Sequence, residues 1–518
     1  MTRTLPAPVA AGADERFGSR LWGLLLVLAG NMLIDALEVS VAVVALPAIG
    51  TDLGQPPTVT QWAMTGFAAG FGGLLLFGAR VMTLLGRRRV YLAALLAFAA
   101  ASVLSALAHD PWLLLATRLA KGFCAALTAP TGLAIITSTF PEGRPRSRAV
   151  SVYTLFGAGG FTTGLLLSGW LTETSWRWAF AFPAPVVLLL FACGLRLIPK
   201  GDDESAPKGP DVSAGGAKSA PKGGGELRDQ PPRRRTRTRT RSFGIPSALT
   251  LLGALLALVQ GITQLPAHGW TAPQTTAPLT AAVLLLLLFQ QIERRSADPL
   301  LNTGPLRGNP ALIRSAIGAA CLNGSYLGLL FILTYQTQTL AGWSPLRTAF
   351  ALLPAAAPPA LTALASGRLV ARFGAPRLIV AGAACAFAGA LLQLRPYTWP
   401  LDYPGRMLPT LLLVGAAFVL SFAALNMQAM SRLAPADRLT GSGLYQTAVQ
   451  LAAVLAVALA AALLAAHAPA HGAGPAAAAA ACRPALTLVA ALGLLGLLVG
   501  LTGLIRTRPP ASSPHHGE

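Results

Sequence analysis

The chain is 518 residues long, 54% hydrophobic and only 11% charged, with a mean hydropathy of +0.59. That is too apolar for a soluble domain of ordinary charge content, so a membrane protein is expected. Net charge is +21, but the basic residues fall in short connections between apolar runs and build no single basic face, which argues against a nucleic-acid partner.

A bilayer core needs about 20 predominantly apolar residues per helix. In chain order fourteen such stretches are predicted, at roughly 21–46, 61–82, 90–108, 112–138, 150–171, 179–198, 245–265, 273–291, 311–334, 346–369, 376–395, 408–430, 441–466 and 483–505. The first is too long for a signal-peptide core and no small-residue cleavage site precedes the second, so it is expected to stay in place as a helix. Arginines crowd alternate connections: Arg87, Arg88 and Arg89 between helices 2 and 3, Arg144, Arg146 and Arg148 between 4 and 5, Arg294 and Arg295 between 8 and 9, Arg372 and Arg377 between 10 and 11. By the positive-inside rule that side is cytoplasmic, which places both termini inside the cytoplasmic membrane.

These boundaries divide the chain into a cytoplasmic tail (1–20), a six-helix half (21–198), a linker (199–243), two inserted helices (244–292), a second six-helix half (293–506) and a second tail (507–518). The linker is rich in Gly, Pro, Ser and Lys and closes on Arg233, Arg234, Arg235, Arg237, Arg239 and Arg241. It cannot bury enough apolar area to offset its ordering entropy, so it is expected to be a disordered tether that also enforces topology. Its functional alternative is attraction to anionic lipid, at about 1 kcal/mol per basic residue. An internal repeat supports the two halves: Gly-Arg-Leu-Val-Ala-Arg-Phe-Gly at 367–374 echoes Ala-Arg-Val-Met-Thr-Leu-Leu-Gly at 79–86, matching Arg368 to Arg80 and Gly374 to Gly86. Two six-helix halves around a central path are a transporter architecture.

Asp35 and Glu38 lie inside helix 1, and no other predicted helix contains an acid. With Asn31 they fall at i, i+4 and i+7, on one helical face. An ionisable group at membrane depth costs at least about 2.5 kcal/mol, so it persists where it lines a water-filled path or meets a partner. Helices 1 and 4 run in opposite directions, and at about 1.5 Å per residue Arg118 of helix 4 lies within roughly one turn of Glu38 in depth. Lys121, at i+3 from Arg118, shares its side. Burial and a second carboxylate raise a carboxyl pKa while a nearby cation lowers it, so such a group is suited to loading and releasing protons. Purely structural ion pairing of the two acids with the two bases remains the rival explanation. The five cysteines are widely spaced small hydrophobes, with neither metal-ligand spacing nor a disulfide framework. No cofactor or metal is expected, and His515 and His516 sit in a polar tail.

The run from Leu37 to Pro47, L-E-V-S-V-A-V-V-A-L-P, resembles the first-helix signature L-D-x-T-x-V-N-V-A-L-P of the fourteen-helix drug:proton antiporters of the major facilitator superfamily. Gly86-Arg87-Arg88-Arg89 resembles the end of that family's cytoplasmic motif after helix 2, and Arg118-Leu119-Ala120-Lys121-Gly122 its helix 4 motif R-x-x-Q-G. Ser175-Trp176-Arg177-Trp178-Ala179-Phe180 is similar to the S-W-R-W-x-F start of helix 6. Tyr335-Gln336, Gly342-Trp343-Ser344-Pro345-Leu346 and Leu352-Leu353-Pro354 resemble the join between helices 9 and 10. There are departures. Glu38 stands where the family has Asp, Asp35 is an additional acid, Thr83 replaces the acid of the cytoplasmic motif and Ala79 its leading Gly, and Lys121 replaces Gln. The helix 5 motif G-x-x-x-G-P-x-x-G-G survives as Gly160, Gly164, Ser168 and Gly169, with Leu165 in place of proline.

The resemblance implies an all-α polytopic fold of two six-helix halves plus two inserted helices. It implies proton coupling at Glu38, to which depth and charge add Asp35, Arg118 and Lys121, and a cytoplasmic gating loop of Arg80, Thr83, Gly86, Arg87, Arg88 and Arg89. The expected activity is export of a bulky, partly apolar drug, dye or self-made antibiotic by a monomer, in exchange for protons. Alternatives are a proton-linked importer, an uncoupled facilitator, and a receptor or scaffold. A membrane enzyme would need a nucleophile or metal constellation, which the sequence does not offer. Asn31, Asn323, Tyr326, Asn426, Tyr445, Gln446 and Gln450 are candidates for a substrate path, although for each one singly an interhelical hydrogen bond is the commoner role. Gly66, Gly70, Gly73, Gly157, Gly160 and Gly164 are expected to let helices pack closely.

Overall fold

The structure is a computed structural model that describes residues 18–199, 244–296, 299–301, 304–306, 308–395, 400–434, 437–469 and 474–505. The expected linker from 200 onward, most of both tails, and His515 and His516 lie outside the described residues. Among the described residues, thirteen helices are long and apolar enough to cross a membrane, and one bent pair brings the number of spans to fourteen.

The spans are α1 (Ser19–Leu53), α2 (Trp62–Leu85), α3 (Arg87–Ala106), α4 (Pro111–Thr139), α5 (Arg144–Thr174), α6 (Trp176–Leu197), α7 (Ile245–His268), α8 (Pro273–Arg295), α9 (Pro310–Thr334), α10 (Pro345–Thr362), α11 (Ala375–Gln393), α12 (Leu408–Met430), α13 (Arg438–Ala466) and α14 (Arg483–Ile505). Several starts are written as a capping residue followed by proline, which needs no intrahelical donor in the first turn. Asp110 accepts from the backbone N–H of Trp112 and Leu113, Asn309 from Leu312 and Ser344 from Arg347. The motif residues Ser175 and Ser344 are thus helix N-caps.

The packing repeats with an offset of eight helices. α1 packs on α5 and α6, α4 on α2 and α3, and α3 on α6; likewise α9 packs on α13 and α14, α12 on α10 and α11, and α11 on α14. Gly86 and Gly374, matched in the sequence repeat, share one conformation that side chains rarely adopt, at φ 87°, ψ 141° and φ 78°, ψ 142°. These are two six-helix halves, and α7 and α8 pair with each other as the two inserted helices. α7 lies across the seam where α2 of the first half meets α13 of the second.

Close helix approach follows from the glycines. A side chain at Gly160 or Gly164 of α5 would run into Leu33, Ala36, Leu37 and Ser40 of α1. Gly122 of α4 sits against the backbone of Phe67 and Phe71 of α2, and Gly70 of α2 against that of Leu119.

Two spans differ from expectation. α1 continues past Pro47, which removes one backbone donor without breaking the helix, and stops at Gly54 in the left-handed region (φ 62°). The tenth span breaks by 78° between Thr362 and Ser366, beyond its three internal prolines Pro354, Pro358 and Pro359. Pro359 has no N–H to offer the carbonyl of Ala355 four residues back, and the Tyr326 hydroxyl donates to that carbonyl instead (3.4 Å).

We term the face where α1 begins the near end and the opposite face the far end. The far ends of the halves are joined. Gln338 Nε2, on a π-helical turn (Tyr335–Leu340) that prolongs α9, donates to the Val44 carbonyl (3.0 Å). Glu173 accepts from the Leu346 N–H at the start of α10 (2.9 Å). Nearer the middle of the spans, Thr162 of α5 donates to the Ala356 carbonyl (2.7 Å) and Thr447 of α13 to that of Gly72 (3.1 Å). Toward the near end, Phe422 and Met427 of α12 are exposed, while Gly443 of α13 packs on Leu76 of α2.

Reporter fusions test the orientation that the arginines imply. Those after residues near 55, 110 and 270 are expected to score outside, and those near 88, 220 and the C-terminus inside. A C-terminus found outside would remove the fourteen-span topology.

Candidate functional site

Glu38 is fully buried in the first half and lies between two cations. It forms ion pairs with Arg118 and Lys121, both also fully buried. Arg118 sits on α4 one helical turn before Lys121, so both reach the same carboxylate. Arg118 also donates through Nη2 to the Glu38 carbonyl (2.9 Å) and through Nε to the Ala63 carbonyl on α2 (2.6 Å). Aromatic faces cover what the carboxylate leaves: Phe67 and Phe180 lie 5.0 and 5.3 Å from the guanidinium, and Phe98 lies 5.0 Å from the ammonium. The depth arithmetic made from helix directions therefore meets a real contact, and Glu38 is the acid that makes it.

Asp35 does not join that contact. It lies one turn toward the near end, where its Oδ2 accepts from Asn31 Nδ2 and from Thr128 Oγ1 of α4, each at 3.0 Å. Its Oδ1 is buried without a hydrogen-bond partner. Asn31 thus belongs to the acid cluster. The helix 5 motif borders it from the other side, with Ser168 donating to the Val41 carbonyl (2.8 Å) while Gly169 packs against Leu346 and Ala349 of α10.

The other path candidates spread over the second half. Asn323 of α9 donates to the Val449 carbonyl of α13 (3.4 Å), and Asn426 to the Phe422 carbonyl in its own helix (2.9 Å). Tyr445 is buried with its hydroxyl unpartnered, Gln446 is half-buried one residue on, and Gln450 packs on Gly72 of α2. Tyr326 belongs to a feature that residue type alone does not reveal. Phe161 of α5, Tyr326 of α9 and Phe418 and Phe422 of α12 form a chain of ring contacts at 5.6, 5.0 and 5.0 Å. The chain crosses from one half to the other and ends at Phe422, 40% exposed and beyond hydrogen-bonding need.

The near-end loop after α2 is tied to the connection after α8. Arg80 Nη2 donates to the Pro299 carbonyl (2.6 Å) and Arg88 to the Leu195 carbonyl (2.8 Å), while exposed Thr83 donates to the Arg80 carbonyl (2.8 Å). Gly86 starts α3, whose first residues are Arg87, Arg88 and Arg89. At the far end the S-W-R-W residues form a clamp that sequence reasoning did not assign. Asp52 accepts from Trp176 Nε1 (3.0 Å) and Arg177 Nη1 (2.6 Å), and Arg177 also reaches the Ala108 carbonyl (3.3 Å).

Residues 28–457 match the family model described as the Major Facilitator Superfamily. The chain belongs to that superfamily. It is 33% identical over 449 residues to the puromycin resistance protein pur8 of Streptomyces alboniger, covering 85% of this chain and 80% of that one. It is 29% identical over 447 residues to the cephamycin export protein CmcT of Amycolatopsis lactamdurans, covering 85% and 84%. Among solved structures, the partially occluded inward-open xylose transporter XylE from E. coli superposes with a TM-score of 0.57 at 14% identity, covering 95% of this chain and all of that one. At that identity the likeness carries the fold alone. This superfamily member is a multi-pass membrane protein whose relatives include antibiotic resistance and export proteins.

Removing one partner from a buried ion pair leaves the other charge uncompensated, at a cost of about 3 to 5 kcal/mol. Arg118→Ala is therefore expected to lower thermal stability in detergent, and Arg118→Ala with Glu38→Gln to recover part of it. Strictly additive losses in that double-mutant cycle would contradict the contact.

Proposed function

We propose that this chain exports a bulky, partly apolar small molecule, of the drug, dye or self-made antibiotic kind, across the cytoplasmic membrane in exchange for protons. It works as a monomer with both termini in the cytoplasm, so the near end faces inward. The observation that carries the proposal is the acid-base cluster of α1 and α4, buried at membrane depth in a half-bundle whose partner half contributes a ladder of rings. Charged groups persist at such depth when they serve an ion path or a partner, and here both needs meet at one place. The resistance and export functions of the two relatives agree with this direction.

The division of labour follows from chemistry. Phe161, Tyr326, Phe418 and Phe422 offer apolar faces and a quadrupole to planar or aromatic parts of a substrate. Asn323, Asn426, Gln446 and Gln450 supply neutral polar groups along the same path, and Asp35, Glu38, Arg118 and Lys121 carry the proton linkage. The near-end loop of Arg80, Thr83, Gly86 and Arg87 to Arg89 gates the inner side. An assumed membrane potential of about 150 mV supplies roughly 3.5 kcal/mol per charge moved, enough for a concentration gradient of a few hundredfold. One proton per turnover suffices for useful efflux.

Expression in an efflux-deficient host is expected to raise resistance to at least one member of a panel of puromycin, lincomycin, tetracenomycin C and ethidium. Everted vesicles should accumulate that compound only while a proton gradient is imposed. Phe418→Ala should cut this accumulation while leaving the amount of folded protein unchanged. Accumulation that survives collapse of the gradient would remove proton coupling, and no response to any compound would remove the efflux reading.

A further inference from the structure

We propose that Asp35, and not Glu38 at the position of the family signature, is the carboxyl that binds and releases the coupling proton, while Glu38 remains the fixed counter-ion of Arg118 and Lys121. This rests on the proton-coupled reading above and assigns its chemistry to one atom.

Glu38 is poorly placed to take up a proton. Its carboxylate lies between two buried cations, and the remaining neighbours of those cations are backbone carbonyls and aromatic rings. Neutralising it strands both charges in a dry core, where loss of one partner is heavily penalised. No part of its side chain is exposed.

Asp35 differs on each count. Its two donors, Asn31 and Thr128, are neutral and both bond to Oδ2, so they can be kept when Oδ1 takes a proton and no buried cation is stranded by the change. Oδ1 is buried and unpartnered, which leaves one oxygen vacant for the proton. The residue is 7% exposed, where Glu38 shows nothing, and it lies one turn closer to the near end. The groups that face it are Glu38 on its own helix, Tyr91 of α3, Cys124 and Thr128 of α4, and Tyr153 of α5. None of these is a cation. The Tyr91 hydroxyl is likewise buried without a partner.

The proton balance is simple. A proton from water on the outer side forms an O–H bond at Oδ1, and the aspartate goes from one negative charge to none. Release to water at the near end restores it. With Asp35 ionised the four groups Asp35, Glu38, Arg118 and Lys121 sum to zero; with it protonated the half-bundle carries one excess positive charge. That change in the field of α1 and α4 is what the transport cycle can sense.

Infrared spectroscopy of the purified full chain in nanodiscs tests the assignment without any substrate. The carbonyl band of buried protonated carboxyls is followed while pH is stepped from acid to alkaline. The titrating band should vanish in Asp35→Asn and keep its frequency in Glu38→Asp, a variant that keeps a negative charge beside the two cations. A band that persists in Asp35→Asn, or that shifts in Glu38→Asp, would overturn the proposal. In everted vesicles, Asp35→Asn should lose gradient-driven accumulation of whichever panel compound the wild type transports, yet keep exchange of that compound against itself. Gradient-driven accumulation equal to wild type in Asp35→Asn would also overturn it. If the wild type moves none of the compounds, the efflux reading fails and the infrared result still decides the protonation site.

Discussion

A carboxylate placed at the middle of a bilayer must find its counter-charge within the protein, because lipid offers neither water nor ions. Glu38 meets that demand with two cations from a single helix, and the arrangement fixes much of the first half. α4 has to cross α1 at the depth of Glu38, with Arg118 and Lys121 a helical turn apart on the facing side. α2 has to come close enough for the Ala63 carbonyl to accept from Arg118, and Gly70 and Gly122 are what allow α2 and α4 to approach so nearly. α3 and α6 then supply Phe98 and Phe180 to close the cage. Replacing either glycine with a larger residue would act on the charge cluster as surely as replacing a cluster member.

Among the described residues, the second half buries no charged side chain comparable to these and is organised by backbone accounting instead. Proline in the tenth span deletes donors, and the carbonyl released at Ala355 becomes an acceptor for Tyr326. That bond orients the ring that stands between Phe161 and Phe418. A helix irregularity that looks like a defect in sequence therefore positions the contact between halves. The same economy appears at the far end, where the serines of two motifs cap α6 and α10, and Asp52, Trp176 and Arg177 tie α1 to the start of α6.

Most of the fold was legible from hydropathy windows, because a spanning helix must be long and apolar whatever it packs against. The end of α1 was not, since Pro47 looks like a stop and is in fact tolerated within the helix. The prolines of the tenth span permit a bend, but the break lies after them, at a position with no marker in residue type. In the site, the pairing of Glu38 with Arg118 followed from helix direction and depth. That both bases go to one acid did not: two acids and two bases suggest two pairs, and only packing shows Asp35 turned toward Asn31 and Thr128. Phe67, Phe98 and Phe180 were invisible as partners of the cations because an aromatic residue in a membrane helix is indistinguishable from ordinary core. Threonine 128 was missed for a similar reason, as hydroxyls within spans commonly satisfy their own helix.

The placement of α7 makes the two sides of the molecule unlike. Its residues Leu255 and Val259 join Trp62, Ala68 and Ala69 of α2 and Val454 and Ala458 of α13 in one apolar cluster, so the seam between the halves on that side is covered by protein. On the opposite side α5 meets α10 without such a cover, and the tenth span bends by 78° between Thr362 and Ser366. The two seams between the halves are therefore unlike, one overlaid by α7 and the other made by α5 and α10 alone among the described helices, so a molecule built on a twofold repeat presents two different flanks to the lipid.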